Sequence, residues 1–164
     1  MIIVPKIAID LIKQREKYCR CAYKLPGEKC WTIGYGIYGT YPSDNSPVCE
    51  GQTINEKDAE FQLVCYCRKN CGDCVEEIAR AFKSRGQVMT DKQKAALYSL
   101  IYNCGAPRWK TSKCRSYLLC GNLDKAMSEW DFWANVDPKL KNGIKKRRNE
   151  EIELFFGVKN YWKI

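Results

Sequence analysis

Histidine is absent from this chain of 164 residues, which leaves thiolates and carboxylates as its only strong metal ligands. No apolar run approaches the ~20 residues that a helix needs to span a bilayer, and this excludes stable membrane insertion. The stretch from Met1 to Lys6 turns polar after a few apolar residues, so no secretory hydrophobic segment is visible, and the sequence reads as a mature chain or one whose leader has been removed. Internal repeats, low-complexity tracts and interdomain linkers are also missing. Acidic residues are outnumbered, 19 against 28 basic ones, and the formal charge of +9 predicts attraction to polyanions: nucleic acid, an anionic membrane surface or the acidic polymers of a bacterial wall. Charge alone does not choose between them.

An apolar content of 45% with five Trp predicts a folded, globular chain. Its length fits one domain, or two lobes sharing a long helix, able to bury roughly two-thirds of the unfolded surface and to fold without metal or partner. Eleven Cys is well above ordinary usage, and an odd number leaves at least one free if the others pair within the chain. The expectation is a disulfide-bearing protein with an oxidising destination. Cys65, Cys67, Cys71 and Cys74 stand at spacings that suggest a zinc tetrahedron, but on a regular helix Cys65 and Cys67 point to nearly opposite sides, which argues against one. Disulfides from this cluster to Cys19, Cys21, Cys30 or Cys49 would instead pin a small lobe to the connecting helix, each contributing about 2–4 kcal/mol.

Ile7, Ala8, Leu11 and Ile12 recur at helical spacing and predict an amphipathic helix over about 6–17 with Glu16 in its last turn. From Cys19 to Tyr41 the chain is rich in Tyr, Thr, Ile and Gly, with turn signals at Pro26-Gly27 and Gly39, and reads as short antiparallel strands before a polar loop ending at Pro47. Asn55 ahead of Glu56, Lys57 and Asp58 is a helix start. That helix is expected to join two lobes and to break at Gly72, with a second helix carrying Val75, Ile78, Ala79 and Phe82 and ending near Gly86. Thr90 with Gln93 is a capping box before the apolar face Ala96, Leu97, Leu100 and Ile101, a helix central to the core. Three more helices are expected over about 112–119, 123–134 and 142–156, with Asp137-Pro138 as a turn signal before the last. The expected class is α+β and mostly helical: a small β lobe over about 18–55, and a helical lobe over about 75–164 that includes the N-terminal helix.

The most telling feature is Trp31-Thr32-Ile33-Gly34-Tyr35-Gly36, with Thr32 sixteen residues after Glu16. It sets a carboxylic acid at a helix end against a short hairpin, an arrangement suited to a cleft for cleaving a glycosidic bond. Leu11-Ile12, Ala22-Tyr23-Lys24, the run from Gly51 to Glu56, Asn103-Cys104-Gly105 and the run from Gly143 to Arg148 with Glu151 accompany it in order and spacing over nearly the whole chain. This ordered set resembles the phage-type lysozymes, glycoside hydrolase family 24. The resemblance implies a lysozyme-like fold and an N-acetylmuramidase that hydrolyses the β-1,4 bond between N-acetylmuramic acid and N-acetylglucosamine. It implies a monomer acting on bacterial peptidoglycan without a cofactor, exported to the wall or periplasm, or held in the host cytoplasm until lysis.

On that resemblance Glu16 is the catalytic acid, since a carboxyl shielded from water can keep its proton near neutral pH. Its plainer role is a solvated carboxylate paired with Lys13 or Arg20. Nine residues after the acid, where the family carries Asp or Cys, this chain has Leu25, and the loop to Thr32 is one residue longer. Leucine cannot activate water. Glu28 is the best replacement in the same loop, although its plainer role is a turn residue beside Lys29, and Cys30 is weaker because a neutral thiol is a poor base. Thr32 is expected to position the attacking water. If Glu28 acts as base through that water, the family resemblance implies inversion, with the carboxyls ~6.5–9.5 Å apart.

Tyr35 and Tyr38 are candidates to offer hydroxyls to the cleft or rings to the core, and Ile37 stands where the family often has His. Asn103 is expected to satisfy backbone groups at a helix end or to contact substrate. One of Arg147 and Arg148 is expected to pair with Glu151 while the other binds carbonyl or carboxylate oxygens of the substrate. Trp109, Trp130 and Trp133 read as core residues. Two rival readings exist: a lysozyme-like module that binds glycan without cleaving it, suggested by Leu25, and a nucleic-acid binder, suggested by the basic run from Lys139 to Arg148. No nucleic-acid motif accompanies that run, so no nucleic-acid partner is expected.

Overall fold

Burial of Ala8, Ile9, Leu11 and Ile12 on one side of the first helix, α1 (Lys6–Arg15), sets the orientation of everything that follows. A computed structural model describes residues 2–132 and 141–159. Glu16 follows α1 as its cap, with extended backbone (φ −94°, ψ 120°) and its N–H bonded to the carbonyl of Ile12. The helix therefore stops one residue before the acid, and the chain turns there into the sheet.

Strands β1 (Cys19–Tyr23), β2 (Thr32–Gly34) and β3 (Ile37–Tyr38) form an antiparallel sheet in that order. Tyr23 lies opposite Thr32, Thr32 opposite Tyr38, and Ile33 opposite Ile37. Ile33 and Ile37 are buried in the core, so the row Tyr23, Thr32 and Tyr38 belongs to the other face of the sheet.

Asn55 caps α2 (Glu56–Tyr66) by accepting the Asp58 N–H at 2.8 Å. The expected break at Gly72 does not occur. A wide π turn over Cys67–Cys71 carries the chain into α3 (Gly72–Ser84), and Gly72 keeps helical angles. The site is tight as well: a Cβ at Gly72 would lie 2.9 Å from two side-chain carbons of Ile2, so a larger residue would require that side chain to shift. The helix then stops where expected, before Gly86.

Thr90 and Gln93 form the expected capping box at the start of α4 (Asp91–Cys104), which packs between α1 and α8 and is buried from Ala95 to Ile101. Gly105, at φ +84°, ends it and opens a short helix, α5 (Ala106–Lys110), with Pro107 in its first turn. One turn is too short for periodicity to reveal. Ser112 caps α6 (Lys113–Cys120), and α7 (Leu123–Phe132) and α8 (Lys141–Phe156) follow. Trp109 and Trp130 are fully buried, as expected, whereas Trp133 and Asp137-Pro138 fall outside the described residues. The architecture is the expected mostly helical α+β class with a small sheet near its N-terminus. Among the described residues no helix is long and apolar enough to cross a membrane.

The disulfide expectation is overturned. All eleven cysteines are free, and no two approach bonding distance. Cys67 and Cys71, in the π turn, are buried in the helical core at 0% and 1% exposure, while Cys21 and Cys49 lie exposed in the small lobe. Thiol titration in denaturant is therefore expected to count eleven thiols, and melting should not respond to a reductant. Burial pushes the Cys104 thiol up to about 12 and raises Cys74 and Cys114 as well. In the unfolded chain such thiols ionise near about pH 8.5, so above that pH the native state binds more protons than the unfolded one. Stability is then intact below pH ~8.5 and falls as the pH rises toward 12, by up to ~1.4 kcal/mol per pH unit for each such thiol. A melting temperature at pH ~10.5 at least about 4 °C below that at pH ~7.5 is expected, and equal values would contradict the burial of these groups.

Candidate active site

The end of α1 and the turn between β2 and β3 meet at Glu16. Gly36 has φ +87°, and a Cβ there would sit 3.9 Å from Glu16 Oε2 and 3.6 Å from the Tyr102 hydroxyl. Glycine thus serves both a left-handed turn and a close approach to the acid. Tyr102 on α4 donates to the Tyr35 carbonyl at 2.6 Å, which ties the hairpin to the helical lobe beside the carboxylate. Burial, and next the charge of Glu16, hold the Tyr102 phenol protonated well above its usual range.

Arg147 on α8 reaches Glu16 from across the molecule. Its Nη1 donates to Glu16 Oε1 at 2.9 Å, and its Nη2 donates to the Ser99 carbonyl at 2.9 Å. The partners expected for a plain surface role are absent, since Lys13 pairs with Glu60 at 2.6 Å and with Glu56 at 3.5 Å. Glu16 keeps 27% side-chain exposure, and Oε2 carries no hydrogen bond from any described residue. One carboxylate oxygen is anchored and the other faces the hairpin. That is the geometry for delivering a proton in one direction.

The anchor is itself held. Glu151, 0% exposed, accepts from Ser99 Oγ at 2.6 Å, from Trp130 Nε1 at 3.0 Å, from Arg147 Nε at 3.3 Å and from Arg148 Nη1. Arg148 also donates to Asn103 Oδ1. Such saturation is what a buried carboxylate requires. The expected division between the two arginines is therefore corrected: both are buried, at 6% and 1% exposure, and both pair with Glu151. Asn103 does not serve the helix end. Arg148 holds its carbonyl oxygen, while the residue stays exposed with its amide N–H groups available.

Tyr35 is 2% exposed and donates to Glu56 at 2.8 Å, so its ring belongs to the core. Tyr38 is half exposed, and its hydroxyl accepts the Cys30 N–H at 3.2 Å. Thr32 is 6% exposed in the centre of the sheet. Glu28 closes the turn after Leu25: its N–H bonds the Leu25 carbonyl at 3.1 Å, Gly27 takes φ +87°, and Glu28 Oε2 accepts the Leu25 N–H at 3.0 Å. The Tyr23 phenol is raised first by burial, next by Cys19, then by the charges of Glu28 and Glu16. A hollow of about 550 Å³ adjoins Glu16 and is lined by Lys13, Tyr18, Tyr35 and Glu56 among others. Glu28 and Thr32 are not among the residues that line it. Among the described residues no group of three or more Cys, Asp or Glu is placed to hold a metal ion.

A sequence model of the phage lysozyme family matches residues 13–151, from the turn before the acid to the buried Glu151. The chain belongs to the phage lysozyme family. It is 37% identical over 153 residues to an endolysin of Bacillus phage B103, a match that covers 93% of this chain and 53% of that one. The chain thus spans about half the length of that curated relative. An endolysin from Escherichia coli O157:H7 phage FAHEc1 is 27% identical with a TM-score of 0.71, over 96% of both chains. The muramidase domain of SpmX from Asticaccaulis excentricus shares the fold, with a TM-score of 0.71 at 23% identity, over 94% of this chain and 98% of that one.

Within this member of the phage lysozyme family, the residues that sequence reasoning missed are Ser99, Tyr102 and the N–H of Trp130. Ser99 left a signal, being a polar residue between Leu97 and Leu100 on the apolar face of α4. Tyr102 and Trp130 left none, because an aromatic side chain at helical spacing reads as packing whether or not its polar atom is engaged.

Proposed function

We propose that this chain is a peptidoglycan hydrolase of the N-acetylmuramidase type, cleaving the β-1,4 bond between N-acetylmuramic acid and N-acetylglucosamine in the bacterial wall. The observation that carries this reading is the Glu16 carboxyl, anchored through Oε1 by Arg147 with Oε2 directed at Gly36. In this reading Glu16 protonates the departing sugar oxygen while positive charge builds at the anomeric carbon. Thr32, in the strand beside the hairpin turn, positions water on the opposite face. Glu28 takes a proton from that water through Oε1, while its Oε2 accepts the Leu25 N–H. The exposed amide of Asn103, braced by Arg148, donates to the glycan, and Arg147 and Arg148 serve by orienting Glu16 and Asn103. The product is expected to have the inverted configuration. The +9 charge draws the chain to an anionic wall.

Glu28's engagement in its own turn also favours a second reading, a module that grips glycan without cleaving it. Purified peptidoglycan separates the two. Release of soluble muropeptides together with co-sedimentation supports the hydrolase; co-sedimentation with no release at any enzyme concentration would leave only the binding module.

A further inference from the structure

Away from the acid, a basic hollow between α3 and the start of α4 has no part in the proposed chemistry. Glu76, Arg80 and Lys83 recur at helical spacing on α3, and Lys94 of α4 stands opposite, its Nζ 3.6 Å from Glu76 Oε1. They line a hollow of about 280 Å³ in which three cations face one carboxylate. A fourth cation adjoins it. Arg115 on α6 donates to Glu77 of α3 at 2.9 Å and to the Lys110 carbonyl of α5 at 3.4 Å, which brings Lys110 beside α3. Glu77 is held below the usual carboxylate range first by its bonds to Arg115 and further by the charges of Arg80 and Lys110. Arg80, Lys83 and Lys110 are exposed, and none of their side chains forms an ion pair or donates a hydrogen bond to any described residue. The hollow beside Glu16 has the opposite balance, with Asp10, Glu16 and Glu56 against Lys13 and Lys17. A polyanion is therefore drawn to α3 and kept out of the hollow beside the acid.

A chain of phosphodiesters suits such a tract. Its repeated charges can meet Arg80, Lys83 and Lys110 in turn, while its carbon links lie along Val88, 86% exposed at the rim of the hollow. Nucleic acid has a similar backbone, but single strands are held by bases stacked on aromatic rings, and no aromatic side chain lines this hollow. Val88 alone offers too little apolar surface to hold a bilayer. We propose that Arg80, Lys83 and Lys110, with the hollow beside Val88, form a docking surface for the polyol phosphate chains of a bacterial wall. The choice of a wall polymer rests on the wall-hydrolase reading. Lys94 in the first turn of α4 and Tyr102 in its last are about 12 Å apart along the helix axis. A docked chain thus leaves the acid open and holds the enzyme on its substrate through a second attachment.

Titration with poly(glycerol phosphate) tests the surface in a variant combining Arg80→Gln, Lys83→Gln and Lys110→Gln. A charge-matched control combines Lys6→Gln, Lys57→Gln and Lys69→Gln, all exposed in wild type. The first variant is expected to bind at least about tenfold more weakly, with the slope of log affinity against log salt flattened by about 2, at roughly 0.7 per lost phosphate contact. The control should stay within about threefold of wild type. Equal weakening in both would mean that net charge alone attracts the polymer, and would overturn the surface. The wild-type chain with labelled methyl groups supplies a readout independent of any variant's folding: the Val88 and Met89 signals should shift as polymer is added, and unmoved signals would overturn the surface. So would tighter binding to single-stranded RNA of matched charge, or to vesicles of anionic phospholipid, lost in the same variant. On purified walls, stripping the phosphodiesters with hydrofluoric acid should raise the wild-type KM by about 3–10-fold, to the value the variant shows on either wall. Absence of cleavage by every protein, with polymer binding lost only in the first variant, would remove the hydrolase reading and leave the docking surface standing.

Discussion

Glu16→Gln is expected to slow glycan cleavage by about 10²–10⁴-fold, the range assigned to general acid catalysis, while binding to peptidoglycan is retained. The substitution is nearly isosteric. Its amide oxygen still accepts from Arg147 Nη1, and the chain keeps its turn into β1, so the loss isolates the proton that glutamine cannot deliver. Melting should move by no more than about 3 °C, because the side chain is 27% exposed and Arg147 keeps its bonds to Ser99 and Glu151. A rate within about threefold of wild type would remove Glu16 from the chemistry. A collapse of melting together with activity would instead make Glu16 a structural residue whose kinetic effect says nothing of mechanism.

Glu151→Ala is expected to cost about 3–5 kcal/mol of stability, the largest single-residue effect anticipated for this chain. Four donors converge on that carboxylate, and none has water as an alternative partner; its removal leaves two buried guanidiniums without their shared counter-ion. Denaturant unfolding of the two proteins measures the difference. The exposed pair Lys6–Asp10, 85% and 46% exposed, supplies the contrast: its removal should change stability by less than about 1 kcal/mol. A Glu151→Ala cost below about 1 kcal/mol would mean that the cluster is not the mechanical base of the acid. Because Arg147 bridges Glu151 and Glu16, activity at a temperature where the variant is fully folded should also fall.

The acid and the hairpin were legible in the sequence because their signals are local. An amphipathic run ends at Glu16, and the glycines at 34 and 36 announce a tight turn. Caps at Asn55, Thr90 and Ser112 were legible for the same reason. What failed depended on partners far along the chain. Gly72 reads as a break, yet it is a contact with Ile2, seventy residues away. Eleven cysteines read as disulfides, yet all are free, and the two in the wide turn lie buried in the core. Arg147 and Arg148 read as one structural and one substrate-facing residue, because nothing local reveals that Glu151 has room for both. The replacement for the missing carboxylate at Leu25 is of the same kind: Glu28 stands in the right loop, but its carboxylate is engaged by a backbone amide three residues away.

The most direct measurement of the central claim is the identity of the sugar at each newly formed reducing end after wild-type digestion of purified peptidoglycan, fixed by borohydride reduction and mass spectrometry. The account predicts reduced N-acetylmuramic acid, absent from a Glu16→Gln digest. Reduced N-acetylglucosamine, or freed stem peptides without new reducing ends, would contradict it.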